Sequence, residues 1–173
     1  SFEAPWERIA YRRVENDPRT LVNVDVPLDR VYADLGYALI RQERMDEAAR
    51  ALAQAVRWNP MRCAYRLDLA ELKRAAGDTQ EWLALSHSVM ERASEARELA
   101  RAYVNFGQWF LEPDKPEPAV GCLRVAQSLS AGDARVQALA DRVGREVPDF
   151  IQVTDLMRPA YFVPETKKCS QLF

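Results

Sequence analysis

The sequence predicts an all-α protein made of three helix pairs and one closing helix. Two stretches repeat the same spacing of large and small residues, with twelve residues from Gly36 to Ala48 and twelve from Gly107 to Ala119. Apolar residues recur three and four positions apart in both stretches, which is the period of an α-helix. Identical internal spacing in two parts of one chain indicates a structural repeat.

The two stretches match slot by slot. The first reads Tyr32-x-x-Leu35-Gly36-x-x-Leu39, then Ala48-x-x-x-Leu52, Ala55 and Pro60. The other reads Tyr103-x-x-Phe106-Gly107-x-x-Phe110, then Ala119-x-x-x-Leu123 and Ala126. Small residues in these slots allow two helices to approach closely, and the large ones fill the remaining space.

This pattern resembles the tetratricopeptide repeat (TPR) family, whose unit is a helix hairpin of about 34 residues. The resemblance implies a right-handed α-α superhelix, the TPR solenoid. It also implies a concave groove built from the first helix of each pair, in which such proteins hold extended peptides or helices.

The elements follow in order along the chain. Residues 1–28 predict a short helix near Trp6 and Ile9, ended by Asn16-Asp17-Pro18, and an extended lead-in. We expect this flank to pack on the first repeat and to hide its open end. The repeats are placed at about 29–62, 63–96 and 100–133.

The middle repeat is degenerate and is inferred from spacing. Ala70 takes the glycine slot, 34 residues after Gly36 and 37 before Gly107, so about three residues near 97–99 are extra. Trp82 and Ser86 stand where an alanine and a large apolar residue belong, which suggests that large and small residues have exchanged sides. Asp78-x-x-Glu81 is typical of a capping box that opens a helix.

Two further segments follow the repeats. A helix over 134–147 carries Val136, Leu139, Ala140 and Val143 on one face, as expected of a C-terminal capping helix. Residues 148–173 form an apolar tail that contains prolines. We expect this tail either to pack back on the helices, with the groove as one place for it, or to continue toward a partner or a further domain.

Composition excludes several classes of protein. The formal charge is −2, which gives no electrostatic argument for nucleic acid as partner. No apolar run approaches the roughly 18 residues of a membrane span. Three dispersed cysteines form no metal or disulfide pattern and favour a reducing compartment, the cytoplasm. Helices rich in Arg and Ala suggest a bacterial source.

No residue pattern predicts catalysis. The single histidine, His87, falls on a helix surface, and neither a metal-binding spacing nor a glycine-rich phosphate loop is present. We therefore expect no enzyme activity, no metal and no cofactor.

The resemblance implies a partner-binding groove formed by the first helix of each repeat. Ala33 and Tyr37 occupy slots where binders of chaperone tails carry Lys and Asn, so recognition of such a tail is not expected. Four arginines among apolar residues suit a mixed apolar and acidic peptide. The expected groove residues are Arg30, Ala33, Asp34, Tyr37, Ile40, Arg41, Leu67, Asp68, Glu71, Arg74, Arg101, Val104, Asn105, Gln108 and Glu112.

The sequence thus predicts a module that binds a protein or peptide in this groove. Two alternatives stay open. The chain would otherwise be a self-associating structural element, a homo-oligomer, or the regulatory region of a longer enzyme or sensor. The fold alone does not choose among them, because one helical-repeat architecture serves many functions.

Overall fold

The computed structural model describes residues 2, 5–22, 24–112 and 116–146, which form eight α-helices and no strand within these ranges. Their bounds are α1 Pro5–Glu15, α2 Leu28–Arg41, α3 Met45–Trp58, α4 Cys63–Ala75, α5 Thr79–Val89, α6 Ala96–Leu111, α7 Pro116–Ser130 and α8 Ala134–Glu146.

Consecutive helices form three hairpins that pack on one another. The closest packing joins α2 with α3, α4 with α5, and α6 with α7. Between hairpins, α3 packs on α4, and α6 packs on both α4 and α5. Finally α8 packs against α6 and α7. The fold is all-α and repetitive, as predicted from the sequence.

Two glycines mark the tightest helix contacts. A Cβ added at Gly36 would lie 2.9 Å from Cγ of Leu52, the large residue of the same hairpin. A Cβ at Gly107 would lie 2.7 Å from Cδ2 of Leu139 and 3.4 Å from Cβ of Cys122. In the first repeat the glycine slot allows a close contact within the hairpin. In the third repeat it allows a close contact with α8.

This packing predicts opposite effects for two glycine-to-alanine changes. Gly121→Ala adds a methyl group inside α7 where nothing lies within 4 Å, so helix propensity should stabilise the protein by about 0.5–1 kcal/mol. Gly36→Ala must displace Leu52, which is fully buried, and overpacking costs typically about 1–3 kcal/mol, more than the propensity gain. Urea unfolding of both variants measures this, and shifts of the same sign would contradict the packing argument.

In the middle hairpin, Trp82 and Ser86 reverse the order of small and large side chains found in the first. Trp82 is 1% exposed and Ser86 is fully buried, so the large side chain occupies the slot of Ala48 and the small one the slot of Leu52. Ser86 also donates from Oγ to the carbonyl oxygen of Trp82 at 2.8 Å. Both slots of the second hairpin are therefore buried, although the sizes of their residues are reversed.

Local signals at helix starts match the structure closely. Asp78 accepts a hydrogen bond from the backbone N of Glu81 at 3.2 Å and thereby opens α5 as predicted. Helix α6 begins at Ala96, so the three extra residues lengthen its first turn. There Oε2 of Glu98 accepts from the backbone N of Ser94 and Glu95, which satisfies donors at the helix start.

The N-terminal flank lies beside both the first and the second hairpin. Glu15 at the end of α1 pairs with Arg92, whose side chain is 10% exposed and lies just after α5. This ion pair joins the end of α1 to the second hairpin. The outer face of α2 is exposed, with Val31 53% and Leu35 47% accessible. The flank therefore meets the first repeat at the end of α3 but leaves this face of α2 exposed, so it does not hide the open end.

The rest of the flank encloses a cleft against the end of α3. Arg8 donates to the carbonyl oxygen of Leu21 at 3.3 Å and so ties the lead-in to α1. The cleft has a volume of about 170 Å³. It is lined by Phe2, Arg8, Tyr11, Leu21, Val22, Val24, Arg57, Trp58 and Pro60.

At the other end, α8 buries Val136, Leu139 and Val143 and turns mainly polar residues outward. The apolar tail predicted over 148–173 lies outside the described residues. No helix in the described part of the chain is both long and apolar enough to cross a membrane.

Candidate partner-binding groove

One carboxylate connects the first helices of all three hairpins. The hydroxyl of Tyr37 on α2 donates to Oδ2 of Asp68 on α4 at 2.7 Å. Nη2 of Arg101 on α6 donates to Oδ1 of the same Asp68 at 2.8 Å. The two oxygens of Asp68 therefore hold α2 and α6 on either side of α4.

This bridge is partly shielded from water. The side chain of Asp68 is 24% exposed and that of Arg101 is 13% exposed. Hydrogen bonds with a charged partner are stronger than neutral ones, and shielding reduces their screening. Burial, followed by the hydrogen bond to Asp68, raises the pKa of Tyr37 well above its usual 10, so its hydroxyl remains a donor at neutral pH.

A second charged pair lies one turn further along α4. Nε and Nη2 of Arg74 both donate to Oε2 of Glu71 at 3.2 Å. The guanidinium carbon of Arg74 also lies 6.0 Å from the centroid of the Trp82 ring, in cation–π range. Arg74 is thus oriented by its own helix and by the buried tryptophan, while it stays exposed.

The predicted groove residues differ widely in accessibility. The exposed ones are Arg30, Asp34, Arg41, Arg74 and Glu112. The half-buried ones are Tyr37, Ile40, Asp68, Glu71, Arg101 and Gln108. The buried ones are Ala33, Leu67, Val104 and Asn105.

The four buried residues offer no surface to a partner. Three of them lie on α4 or α6, which have neighbours on more sides than α2 and so bury more of their circumference. Asn105 shows the consequence, because its Nδ2 donates to Oγ of Ser86 on α5 at 2.9 Å. These four residues were expected on the accessible surface of the groove. The structure instead packs them beneath that surface.

Trp109 lies next to the predicted surface and is half-buried. Its ring is 4.8 Å from that of Phe110, and it packs against the apolar cluster that contains Trp82. Within the described residues, Oε1 of neighbouring Gln108 and Nε1 of Trp82 are buried without a hydrogen-bond partner. Near Trp109, the boundary between the second and third hairpins therefore holds one donor and one acceptor that no described residue satisfies.

The sequence did not identify a second polar cluster that positions α2 against α4. Asp29, in the first turn of α2, is 1% exposed, and its Oδ2 accepts from Nδ2 of Asn59 and from the hydroxyl of Tyr65, both at 3.4 Å. Asn59 also accepts from the backbone N of Met61 and so fixes the turn before α4. The Asn59-Pro60 pair after α3 indicates this turn in the sequence, because Asn favours such side-chain-to-backbone hydrogen bonds.

The predicted groove carries balanced charge. Its arginines are Arg30, Arg41, Arg74 and Arg101, and its acidic residues are Asp34, Asp68, Glu71 and Glu112. Since two of the arginines already pair with acidic groove residues, the surface offers less free positive charge than the sequence suggested.

The described residues provide little support for a metal site or a reactive cysteine. No three His, Cys, Asp or Glu residues there are grouped to hold a metal ion. Cys63 and Cys122 are buried free thiols, and burial raises the pKa of each to about 12. Both thiols are therefore protonated at neutral pH and are poor nucleophiles.

Neither family models nor curated proteins yield a match to this chain. Among solved structures, a chain from the crystal structure of a T3SS complex of Aeromonas hydrophila is similar, with a TM-score of 0.57. The two are 20% identical, and the alignment covers 86% of this chain and 99% of the other. At this identity the similarity supports the all-α fold alone.

Proposed function

We propose that this chain is a TPR-type solenoid that binds a protein or peptide partner along α2, α4 and α6. The observation that carries the proposal is the Tyr37–Asp68–Arg101 bridge, because it aligns side chains from three successive hairpins. The repeated spacing around Gly36 and Gly107 supports the TPR assignment and the right-handed superhelix that it implies.

The contacts favour a mainly apolar partner segment. Tyr37, Ile40 and Trp109 are half-buried and keep part of their surface accessible, while Asp68 and Glu71 are neutralised within the protein. Exposed Arg41 can meet an acidic residue of a partner, and Arg74, although paired with Glu71, keeps 43% of its side chain exposed. Because internal pairing leaves little net charge, affinity should depend only weakly on salt.

The similar solved structure adds a supporting argument. That chain belongs to a protein complex, so a fold of this type occurs in a protein assembly. A role in protein binding, without catalysis and without a cofactor, agrees with the protonated buried thiols and the single histidine. A cytoplasmic location in a bacterium is part of the proposal and is based on the cysteine pattern and composition.

A peptide display library tests the groove directly and requires no natural ligand. Random 16-residue peptides are selected on the folded chain, and the dissociation constants of the enriched peptides are measured by fluorescence anisotropy. The double variant Tyr37→Ala and Arg74→Ala should weaken binding at least about tenfold, because both residues have accessible surface on the groove side.

Arg50→Ala is the matched control, since Arg50 is exposed on α3, the second helix of its hairpin. It should leave the dissociation constant within about twofold. If the double variant binds as tightly as the unmodified chain while its circular dichroism is unchanged, the site lies elsewhere and the proposal fails.

A further inference from the structure

The cleft between the N-terminal flank and the end of α3 has an apolar interior. None of the predicted groove residues lines it, so it is distinct from the proposed partner-binding groove. Its half-buried lining residues are Phe2, Tyr11, Leu21, Val24, Trp58 and Pro60. Its volume of about 170 Å³ is close to the about 150 Å³ of an engineered apolar cavity that binds benzene. The cleft therefore has room for one apolar group the size of a single ring.

Contacts within the flank fix the walls of this cleft. The rings of Phe2 and Tyr11 lie 5.6 Å apart. The hydroxyl of Tyr11 donates to Oδ2 of Asp17 at 2.7 Å, so this residue offers its ring to the cleft while its hydroxyl is already engaged. Nη2 of Arg8 donates to the carbonyl oxygen of Leu21 at 3.3 Å and joins the helix to the lead-in. The apolar walls are thus largely formed without a ligand, as is usual for small-molecule sites.

Two arginines give the mouth of the cleft a positive charge. Arg8 and Arg57 line it, and both are exposed, which places them at the mouth. Within the described residues neither forms an ion pair, and Arg57 makes no hydrogen bond there. The lining residues include no acid, and nearby Asp17 is paired with Arg19 at 2.6 Å. An apolar interior below two unpaired cations complements a ligand that is apolar at one end and anionic at the other.

We propose that this cleft binds a carboxylate that carries one apolar group, with that group against Trp58 and the carboxylate on Arg57 and Arg8. A guanidinium presents paired N–H donors that match the two oxygens of a carboxylate. Two sources offer this chemistry, a free carboxylic acid and the C-terminal residue of a polypeptide. Because such a ligand has only about a dozen non-hydrogen atoms, we expect a dissociation constant of about 0.1–1 mM.

Titration of the full, ¹⁵N-labelled chain with 3-phenylpropionate, followed by two-dimensional NMR, tests this site. The chain has four tryptophans, and the indole N–H signal of each reports on its own position. The signal of Trp58 should shift on binding, whereas that of Trp82, which is 1% exposed, should not. No partner peptide is present, so the result is independent of the groove assay.

Two ligand controls separate the apolar and the charged contributions. Acetate has the charge without the apolar group, and 3-phenylpropionamide has the ring without the charge. Each should bind at least about tenfold more weakly than 3-phenylpropionate, because each uses only one half of the cleft. If acid and amide bind equally, or if the Trp58 signal does not shift at about 10 mM acid, the proposed site is wrong.

Arg57→Ala should raise the dissociation constant of 3-phenylpropionate at least about fivefold and leave that of the amide unchanged, since it removes one of the two cations at the mouth. Arg50→Ala is the matched control, because Arg50 is exposed on the same helix about two turns earlier and does not line the cleft. It should leave both constants unchanged. An effect of Arg57→Ala no larger than that of Arg50→Ala would overturn the assignment of the carboxylate to the arginines.

N-acetylphenylalanine distinguishes the two sources of the ligand, because it resembles the C-terminal residue of a polypeptide. Binding within about threefold of 3-phenylpropionate, with the same shift of Trp58 and the same loss in Arg57→Ala, would assign the cleft to a polypeptide C-terminus. Binding of 3-phenylpropionate alone would assign it to a free carboxylic acid.

Discussion

Trp82→Ala is expected to lower the free energy of unfolding by about 3–5 kcal/mol, the range seen when a large buried aromatic side chain is truncated. Trp82 is 1% exposed and is the largest of the fully buried side chains described. It fills the slot that Ala48 and Ala119 occupy in the other hairpins. The second hairpin therefore has a large ring where the other two have a methyl group.

The cavity left by this change would collapse poorly. Ser86, one turn later, is small and already bonded to the carbonyl oxygen of residue 82 and to Asn105. Ala70 on the facing helix is fully buried and small as well. With small, fixed neighbours on two sides, the loss should fall in the upper half of the range, since the penalty grows with the residual cavity.

Two further variants make the measurement specific. Trp82→Phe keeps most of the ring and removes Nε1, which has no partner in the described structure, so it should cost less than half as much as Trp82→Ala. Trp109→Ala, at a half-buried tryptophan of the same cluster, is the matched control and should cost clearly less. A loss below about 1.5 kcal/mol for Trp82→Ala in urea unfolding would contradict the buried, rigid slot.

The features predictable from sequence were those set by spacing and size. Gly36 and Gly107 marked close helix contacts, because a Cβ at either position would come within 3.0 Å of a leucine side chain. Trp82 and Ser86 indicated an exchange of sizes within one hairpin, and Asp78 with Glu81 marked a helix start. Each of these signals lies within one repeat unit, where helical geometry fixes which positions face each other.

The features missed depend on contacts between repeats. Asp68 is an ordinary helix-surface carboxylate in the sequence, and nothing near it shows that Tyr37 and Arg101, 31 and 33 residues away, both reach it. The burial of Asn105 likewise depends on Ser86 in the preceding hairpin. The position of α1 follows from the pair between Glu15 and Arg92, which are 77 residues apart. Such pairs require the relative rotation of hairpins, which local periodicity does not give.

Asp68→Ala is expected to cost about 2–3 kcal/mol of unfolding free energy, although Asp68 contributes little apolar packing. The change leaves the guanidinium of Arg101, which is 13% exposed, and the hydroxyl of Tyr37 without their acceptor. An unmet hydrogen bond of a shielded charged group costs more than the net value of the bond itself. The loss should appear in urea unfolding at neutral pH.

Glu71→Ala is the matched control, one turn along the same helix. Its partner Arg74 has a side chain that is 43% exposed, and exposed ion pairs contribute about 0–1 kcal/mol. If Asp68→Ala is no more destabilising than Glu71→Ala, the bridge does not hold the hairpins together.

A double variant separates the net contribution of the bridge to stability from the penalty of leaving one partner unpaired. Asp68→Leu combined with Arg101→Met removes both charges and replaces them with apolar groups of similar size, which is often neutral or stabilising at buried pairs. Its stability should therefore lie well above that of Asp68→Ala. Peptide binding should still weaken, because Tyr37 loses the acceptor that orients its ring between α2 and α4. Recovery of stability without recovery of binding would identify the bridge as a device that positions the groove rather than one that the fold requires.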